Sequence, residues 1–557
     1  MHLIKTFILL ILIFISNLVL ANTCRQVNYK ITPLSNMPVS AIKVETEIIG
    51  DMSGEVILDL PYAWANATYY KQIKNVKLEY PIGKLQFRNQ DSNEVILNTG
   101  KINIIRLSYE IYQKTGNSCD IHEAIIRQNL IHSPGYGLFA TPGDLNGNDI
   151  IEFNIEWNNI PDSWKTISDY GLGKSMKFKV KKEELLSALY AAGDLRVYKI
   201  VDQKNPVYLS LHGQFDLKDE EIASYINKII KGQRAFFHDN DFPYYVISLI
   251  EGDEPNHMGG TGLINSFTAF IPQGLDKQDY ITLLAHEHLH NWTGKKIRNN
   301  LEGLNYWWSE GFTDYYSRVL ALRAEVITLE EFVEAFNQFF QDYYLSPVIN
   351  EPNNLIKTDY WKDYAVEKLP YYRGFVFALY LDNLIKENNR SKSLDNVMLD
   401  LFKTSKEQDF SSDYFKKIVK NYLPKGVDKE INEYIEQGKT IDLADVTKVL
   451  PIEKIKMGAY DRGFDKDALI NNYTIKNIDE NSNAYKSGLR NGDIVIKYDF
   501  PKWGSPDQIV TIKTTKGEFK FRPESANKKD IYRFKPNLSK EDKLKIKKFF
   551  GSVQISV

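Results

Sequence analysis

The sequence predicts a multidomain α+β protein with a β-sandwich-like region, a mostly helical region and a final β region. Its 557 residues suggest three or four domains at roughly 150 residues each. Strand-like alternation of apolar and polar residues, as in residues 43–48 and 103–109, runs to about residue 203. From residue 219 apolar residues recur at helical spacing, and from about residue 452 strand patterns return.

The overall composition excludes several classes of protein. The charges nearly cancel, with 70 Lys+Arg against 72 Asp+Glu and a net charge of -2. This balance argues against a nucleic-acid partner, which needs a basic surface. With 43% hydrophobic residues and a mean hydropathy of -0.37, the chain resembles globular proteins rather than disordered or multi-span membrane proteins.

The first segment differs from the rest. Residues 7–15 are apolar without interruption, and the stretch ends at Ala21. A membrane-spanning helix needs about 20 apolar residues, so this shorter run is typical of a signal peptide over residues 1–21, with an uncleaved anchor as the alternative. We therefore expect an exported protein, periplasmic or secreted, with no membrane span after cleavage. Cys24 and Cys119 are then either one disulfide or two separate thiols.

The chemically most informative motif is AHEHLH at residues 285–290, inside a helix predicted over residues 280–291. His286 and His290 are about 40° apart around a helix, so both imidazoles can bind one ion. Glu287 lies beside them and can take a proton from metal-bound water. His288 is turned roughly 200° from His286 and is not expected to be a ligand.

A second helix, predicted over residues 309–325, supplies a third ligand. Glu310 follows His290 after 19 intervening residues, with Ser309 predicted to cap the helix and Asp314 one turn further on. His286, His290 and Glu310 leave a fourth position for water, which predicts a catalytic site with one Zn²⁺ per chain. Asp314 is suited to a hydrogen bond with a metal-bound histidine.

These residues resemble the M61 glycyl-aminopeptidase family, a gluzincin group of zinc metallopeptidases related to thermolysin and the M1 aminopeptidases. The resemblance rests on HEHLHNW at residues 286–292, KIR at 296–298, WSEGFT at 308–313 and YYRG at 371–374, the last expected to begin a helix. It implies an all-β domain over residues 22–205, a thermolysin-like, mostly helical zinc peptidase domain over 206–445 and a PDZ-like domain over 452–557. It also implies that Tyr371 stabilises the oxyanion, although only the motif separates Tyr371 from Tyr372.

The PDZ-like assignment rests on residues 473–478 and 483–495. These match a PDZ pattern, with a short helix ending at Gly488 and a Gly492-Asp493 turn before an apolar strand. PDZ domains add a peptide as an extra strand on an exposed edge, so a peptide ligand here is an expected partner. The alternative is a spacer or lid that binds nothing.

The resemblance also exposes a departure from the family. Related aminopeptidases carry a glycine-rich edge strand with a glutamate that binds the substrate's α-amino group. The corresponding residues here, Gly259, Gly260, Thr261 and Gly262, can hold substrate backbone, but Gly262 stands where the glutamate is expected. Asp253 or Glu254 is the alternative source of a carboxylate. We therefore expect an exported zinc aminopeptidase, acting on peptides or proteins, with a relaxed requirement for a free N-terminus. The alternatives are an endopeptidase and a non-catalytic, PDZ-bearing peptide-binding protein.

Overall fold

A computed structural model describes residues 25–34, 40–62, 69–89, 92–113, 121–201, 206–242, 244–252, 258–299, 301–500 and 505–551. The predicted signal peptide, Cys24, Cys119, Asp253 and Glu254 lie outside these residues. The chain divides into two compact units, residues 1–227 with 240–283 and residues 228–239 with 284–557. The predicted mixed α+β architecture is confirmed, and the three domain boundaries stay a prediction. No helix of the described residues is both long and apolar enough to cross a bilayer.

The first unit is built mainly from strands. Their bounds are β1 (Arg25–Pro33), β2 (Ala41–Asp59), β3 (Ile73–Tyr80), β4 (Gln86–Phe87), β5 (Glu94–Tyr112), β6 (Ile125–Arg127), β7 (Leu130–Pro134), β8 (Thr141–Pro142), β9 (Ile150–Trp157), β10 (Lys165–Ser168), β11 (Gly171–Leu172), β12 (Ser175–Lys181), β13 (Leu189–Gly193), β14 (Arg196–Val201), β15 (Val207–His212), β16 (Tyr245–Glu251), β17 (Gly259–Gly262) and β18 (Ser266–Ile271).

Two of the sheets in this unit share one apolar core. The larger has the order β12-β9-β1-β2-β5-β3, with β8 on β2 and β4 on β5, and the smaller has the order β11-β10-β13-β7-β6. Side chains from both sheets, among them Val27, Phe153 and Tyr190, are fully buried in the same cluster. In β9 buried residues alternate with more exposed ones, which is why the sequence pattern identified strands here.

A third sheet, with the order β14-β15-β16-β18-β17, follows in the same unit. Strands β15, β16 and β18 are parallel, and β17 pairs antiparallel with β18 at the edge. The sequence pattern missed β16 and β18, because nearly all their residues are buried and no alternation remains. The glycine-rich strand at the edge was anticipated.

The helices lie mostly beyond these sheets in the sequence. They are α1 (Lys182–Leu186), α2 (Asp219–Phe237), α3 (Lys277–Leu289), α4 (Glu302–Ser309), α5 (Gly311–Arg323), α6 (Leu329–Leu345), α7 (Asn353–Asp359), α8 (Tyr364–Asn388), α9 (Leu394–Thr404), α10 (Ser412–Val419), α11 (Asp428–Glu430, continued by a π-helical turn over Ile431–Glu436), α12 (Val446–Val449), α13 (Lys466–Asn472), α14 (Asn483–Lys486) and α15 (Lys540–Phe550).

The C-terminal part of the second unit returns to strands. Its strands are β21 (Ile452–Tyr460), β22 (Val495–Asp499), β23 (Val510–Thr514), β24 (Gly517–Phe521) and β25 (Glu524–Phe534). The short pair β19 (Thr293–Gly294) and β20 (Ile297–Arg298) lies earlier in the unit, directly after α3. Strand β21 pairs with β25, and β22, β23 and β24 form a separate antiparallel sheet. Helix α14 precedes Gly488 and β22 follows the Gly492 turn, in the expected order, but the PDZ-like identity of this region stays a prediction.

Helix α15 packs into the helical part of the same unit. The Phe550 ring lies 4.8 Å from Phe332 and 5.2 Å from Phe336, both on α6. The Phe550 carbonyl accepts a hydrogen bond from Arg323 Nε at 2.7 Å, and the Phe549 carbonyl accepts one from Lys386 Nζ at 2.6 Å. Residues near the end of the described chain therefore complete the aromatic core of the helical region.

Candidate metal centre

The two histidines of the HExxH motif are brought together at the end of helix α3. His286 lies in its last turn, and His290 follows directly after the helix ends at Leu289. Their Nε2 atoms are 3.0 Å apart, and their rings are nearly perpendicular at 82°. Both Nε2 atoms therefore converge on one point, as the helical spacing predicted.

Glu310 completes a cluster of three metal-binding groups. Its Oε2 lies 3.2 Å from Nε2 of His286 and 3.5 Å from Nε2 of His290. One donor atom from each of the three residues lies within 4.8 Å of the others. The expected cap at Ser309 is wrong, because Ser309 is the last residue of α4 and Glu310 itself occupies the junction before α5.

The charges of these groups depend on one another. Burial would lower the pKa of His286, but the Asp314 and Glu310 carboxylates outweigh it and raise this pKa to about 10. Burial would likewise raise the pKa of Glu310, but the positive charges of His290 and His286 hold it well below its usual value. The cluster is partly buried, and the Asp314 and Glu310 carboxylates favour a cation there.

The far nitrogens of both histidines have fixed partners. Nδ1 of His286 lies 2.9 Å from Oδ1 of Asp314, and Nδ1 of His290 lies 2.9 Å from the Thr293 carbonyl. Asp314 is in turn held by Arg318, whose Nη1 donates to Oδ1 at 2.8 Å. Such hydrogen bonds orient each imidazole and direct its Nε2 lone pair toward a metal.

The other two charged or polar residues of the motif differ in setting. Glu287 is partly buried, and its negative charge contributes to the raised pKa of His290. His288 is fully buried on the opposite side of α3, with Nδ1 2.6 Å from Oε1 of Gln233 and its ring beside Trp292. The structure thus does not bring His288 to the ligand cluster.

Tyr371 and Tyr372 point to different places. The Tyr371 ring lies parallel to that of His286, with 6.1 Å between centroids, and its hydroxyl is 3.2 Å from the hydroxyl of Tyr360. Tyr372 packs instead against Phe339, at 5.8 Å. The geometry therefore separates two tyrosines that the motif alone could not.

The expected helix start at the YYRG motif is wrong. Helix α8 begins at Tyr364, where the Asp363 carboxylate accepts hydrogen bonds from the amides of Ala365 and Val366. Pro370 lies inside this helix, although proline disfavours the interior of a helix. Tyr371 is consequently held on a continuous helix.

The glycine of that motif has a packing role. A Cβ atom on Gly374 would lie 1.8 Å from the Trp307 carbonyl oxygen, and one on Gly311 would lie 2.4 Å from Cα of Gly374. Helix α8 therefore approaches the α4–α5 junction more closely than any side chain allows. Because Tyr371 is one turn before Gly374 and Glu310 is next to Gly311, this close crossing places the phenol near the cluster.

Sequence reasoning missed three residues around the site. Tyr306 lies one turn before Glu310 and stacks on Tyr360 with 4.3 Å between ring centroids. Burial and the charge of Glu310 raise the pKa of Glu302, whereas His290 opposes the shift. The spacing of Glu302, Tyr306 and Glu310 at four-residue intervals is a signal that could have found the first two. Tyr360 has no such sequence signal, because its position beside Tyr371 depends on how α7 and α8 pack in the folded chain.

The glycine-rich segment forms the edge strand β17, in the other unit. Its residues pair with β18 from Gly259 opposite Phe270 to Gly262 opposite Phe267. Gly262 is exposed, and a Cβ on Gly259 would meet nothing within 4 Å. A free strand edge with small residues is open to an extended peptide backbone, and the role of Gly259, Gly260, Thr261 and Gly262 in substrate binding stays a prediction.

Residues 279–351, which contain the whole ligand cluster, match the M61 glycyl aminopeptidase family. This segment of the chain is therefore similar to M61 metallopeptidases. The crystal structure of an aminopeptidase N family protein from Idiomarina loihiensis superimposes on this chain with a TM-score of 0.71, covering 93% of this chain and 99% of the other at 16% identity. At that identity the likeness shows the fold alone.

Curated relatives match the chain over a shorter region. Leucine aminopeptidase 2 of Neosartorya fischeri is 27% identical over 168 residues, which cover 25% of this chain and 26% of that protein. Leucine aminopeptidase 2 of Aspergillus oryzae is 25% identical over 130 residues, covering 22% of this chain and 20% of that protein. The match thus spans about a quarter of the length of these relatives.

Proposed function

We propose that this chain hydrolyses peptide bonds with one zinc ion held by His286, His290 and Glu310. The observation that carries the proposal is the convergence of their donor atoms within 4.8 Å, with Asp314 fixing His286 from behind. Two imidazole nitrogens and one carboxylate oxygen are the donors of many catalytic zinc sites, so the residues fit this ion. When bound, zinc supplies a Lewis acid and lowers the pKa of water.

The protein's own groups would perform the proton transfers. Glu287 accepts a proton from the attacking water and passes it to the leaving amine. The Tyr371 hydroxyl donates a hydrogen bond to the oxyanion, with the Tyr360 hydroxyl beside it at 3.2 Å. Burial, followed by the charge of Glu310, raises the pKa of Tyr371, which keeps the phenol protonated and able to donate.

We infer that cleavage is of the aminopeptidase type with a relaxed requirement for a free N-terminus. The leucine aminopeptidase relatives support the first part, and Gly262, which has no side chain to bind an ammonium, supports the second. Because of Gly262, endopeptidase action is the second candidate. If a carboxylate binds the α-ammonium group of the substrate, the candidate is Glu302, which lies near Glu310.

Export and peptide binding complete the proposal. The signal-like segment over residues 1–21 supports a periplasmic or secreted location, and the order of α14, Gly488 and β22 supports a PDZ-like module that binds a peptide. A non-catalytic peptide-binding protein is the rival function. The complete set of His286, Glu287, His290 and Glu310 argues against it.

The test uses the full chain with a peptide and its N-acetylated twin. We expect about one zinc per chain, loss of cleavage with a chelator, recovery with zinc and comparable rates for both peptides. An active enzyme without metal contradicts the zinc mechanism. Strictly stepwise removal from free N-termini contradicts the relaxed requirement, and Glu302→Gln then tests the amine anchor. Peptide binding by the zinc-loaded chain without any cleavage favours the non-catalytic rival.

A further inference from the structure

A cavity of about 340 Å³ lies beside helix α8, within the second unit. Its walls come from helices α6 and α8, from the end of β21 and from Pro506. They are largely apolar or aromatic, with Leu345, Pro347, Tyr364 and Tyr460 among the lining residues. The cavity is therefore suited to an extended hydrocarbon chain.

One carboxylate stands in this apolar lining. Asp342 on α6 accepts a hydrogen bond from Gln338 Nε2 at 2.9 Å, and no salt bridge of Asp342 is found among the described residues. Burial raises the pKa of Asp342 to about 7, and the Gln338 hydrogen bond opposes the shift only in part. A carboxylic acid in an apolar site favours a cationic ligand, because a nearby positive charge stabilises the ionised carboxylate.

The one lysine of the lining does not fill that role. Lys368 Nζ lies 2.6 Å from Oε1 of its neighbour Glu367. The same ammonium is 5.5 Å from the Tyr364 ring centroid and 4.9 Å from the Tyr371 ring centroid. Lys368 thus engages other groups, and its side chain connects the cavity wall with the tyrosine beside the metal centre.

The cavity is linked to the tyrosine of the site through Lys368, which lines the cavity and whose Nζ lies 4.9 Å from the Tyr371 ring centroid. Tyr372 lines it, and Tyr371, the proposed oxyanion donor, precedes Tyr372. The negative charge of Asp342 contributes to the raised pKa of Tyr372 after burial, so the carboxylate and this ring are neighbours. The cavity wall therefore adjoins the tyrosine that is proposed to act on the cleaved bond.

We propose that this cavity is a specificity pocket for a lysine or arginine side chain of the substrate, with the cationic head bound by Asp342. The aliphatic stem would lie along the apolar wall while the head forms a charge-assisted hydrogen bond. This inference rests on the proposed peptidase function, because it assigns a substrate class to that same site.

The first experiment compares matched peptides with the zinc-loaded full chain. Peptides carry a single lysine or norleucine, or arginine or citrulline, at each position around the cleaved bond. We expect the cationic member of one pair to have a kcat/KM about tenfold or more higher. Asp342→Asn should reduce that ratio to near unity, mainly by lowering kcat/KM for the lysine and arginine peptides. The proposal is overturned if the wild-type chain shows equal kcat/KM for the cationic and neutral peptides of every pair. It is also overturned if Asp342→Asn keeps the wild-type ratio.

A control and a binding measurement keep the two proposals distinguishable. Asp413→Asn removes a carboxylate that is 92% exposed, and it should preserve the lysine preference. Binding of the same peptides is then measured with Glu287→Gln, which is expected to bind peptide without cleaving it. A preference for lysine in this variant, together with an inactive wild type, supports the pocket and contradicts only the peptidase function. Equal binding of lysine and norleucine peptides contradicts the pocket.

Discussion

The two faces of helix α3 place chemically identical side chains in opposite surroundings. Burial lowers the pKa of both His286 and His288, but at His286 the Asp314 and Glu310 carboxylates reverse the effect. At His288 the positive charges of Arg234 and Lys295 reinforce it. Neighbours on other elements thus determine whether a histidine of this motif faces the ligand cluster or the protein core. Four substitutions test that distinction.

The largest effect is expected on the metal face, from Glu287→Gln. The amide cannot accept a proton from water, so kcat should fall about 10²–10⁴-fold while zinc content stays the same. Zinc content by mass spectrometry and initial rates of peptide cleavage measure both. Near-normal turnover would show that another group is the general base.

Tyr371→Phe removes only the hydroxyl that lies beside the Tyr360 hydroxyl. Loss of one oxyanion donor should lower kcat about 10²–10³-fold with little change in KM. Tyr372→Phe is the matched control, because Tyr372 packs against Phe339 instead of His286. Equal losses in both variants would contradict the assignment of Tyr371.

Asp314→Asn tests the group behind His286. The neutral amide no longer stabilises the imidazole through Nδ1, so affinity for zinc should fall about 10–100-fold. Competition with a chelator of known affinity gives the zinc dissociation constant. An unchanged constant would mean that Asp314 acts only in its ion pair with Arg318.

The smallest effect on chemistry is expected on the core face, from His288→Leu. The substitution leaves Oε1 of Gln233 without its 2.6 Å partner, so the free energy of unfolding should fall by about 1–3 kcal/mol. Urea unfolding measures this change. Zinc content should be unaltered, and a loss of zinc at native stability would place His288 in the metal site.

The sequence predicted correctly those features that depend on a single segment of the chain. The spacing of His286 and His290 is a property of a single helix turn, and Asp314 follows Glu310 by one turn of another. The helix pattern near residues 220–233, 280–291 and 329–344 likewise matched α2, α3 and α6 to within a few residues. These features need no knowledge of distant contacts.

Features that depend on contacts between distant segments could not be predicted from the sequence. The YYRG motif predicts a helix start, yet α8 begins at Tyr364 and continues through Pro370, with buried residues before and after the proline. Strands β16 and β18 carry no alternation because both of their faces are buried. Asp342 is one of many acidic residues in the sequence, and only the tertiary structure places it in an apolar cavity without an ion-pair partner among the described residues.

The docking of helix α15 has a consequence for how the protein is made. Phe550 fills a place among aromatic rings of α6, yet it is synthesised about 200 residues later, which at about 5–20 residues per second is a delay of about 10–40 s on the ribosome. During that interval the rings of Phe332 and Phe336 lack the contact with Phe550. A nonsense mutation between residues 346 and 540 therefore leaves both rings without Phe550 permanently, and we expect the shortened product to be more prone to aggregation and proteolysis.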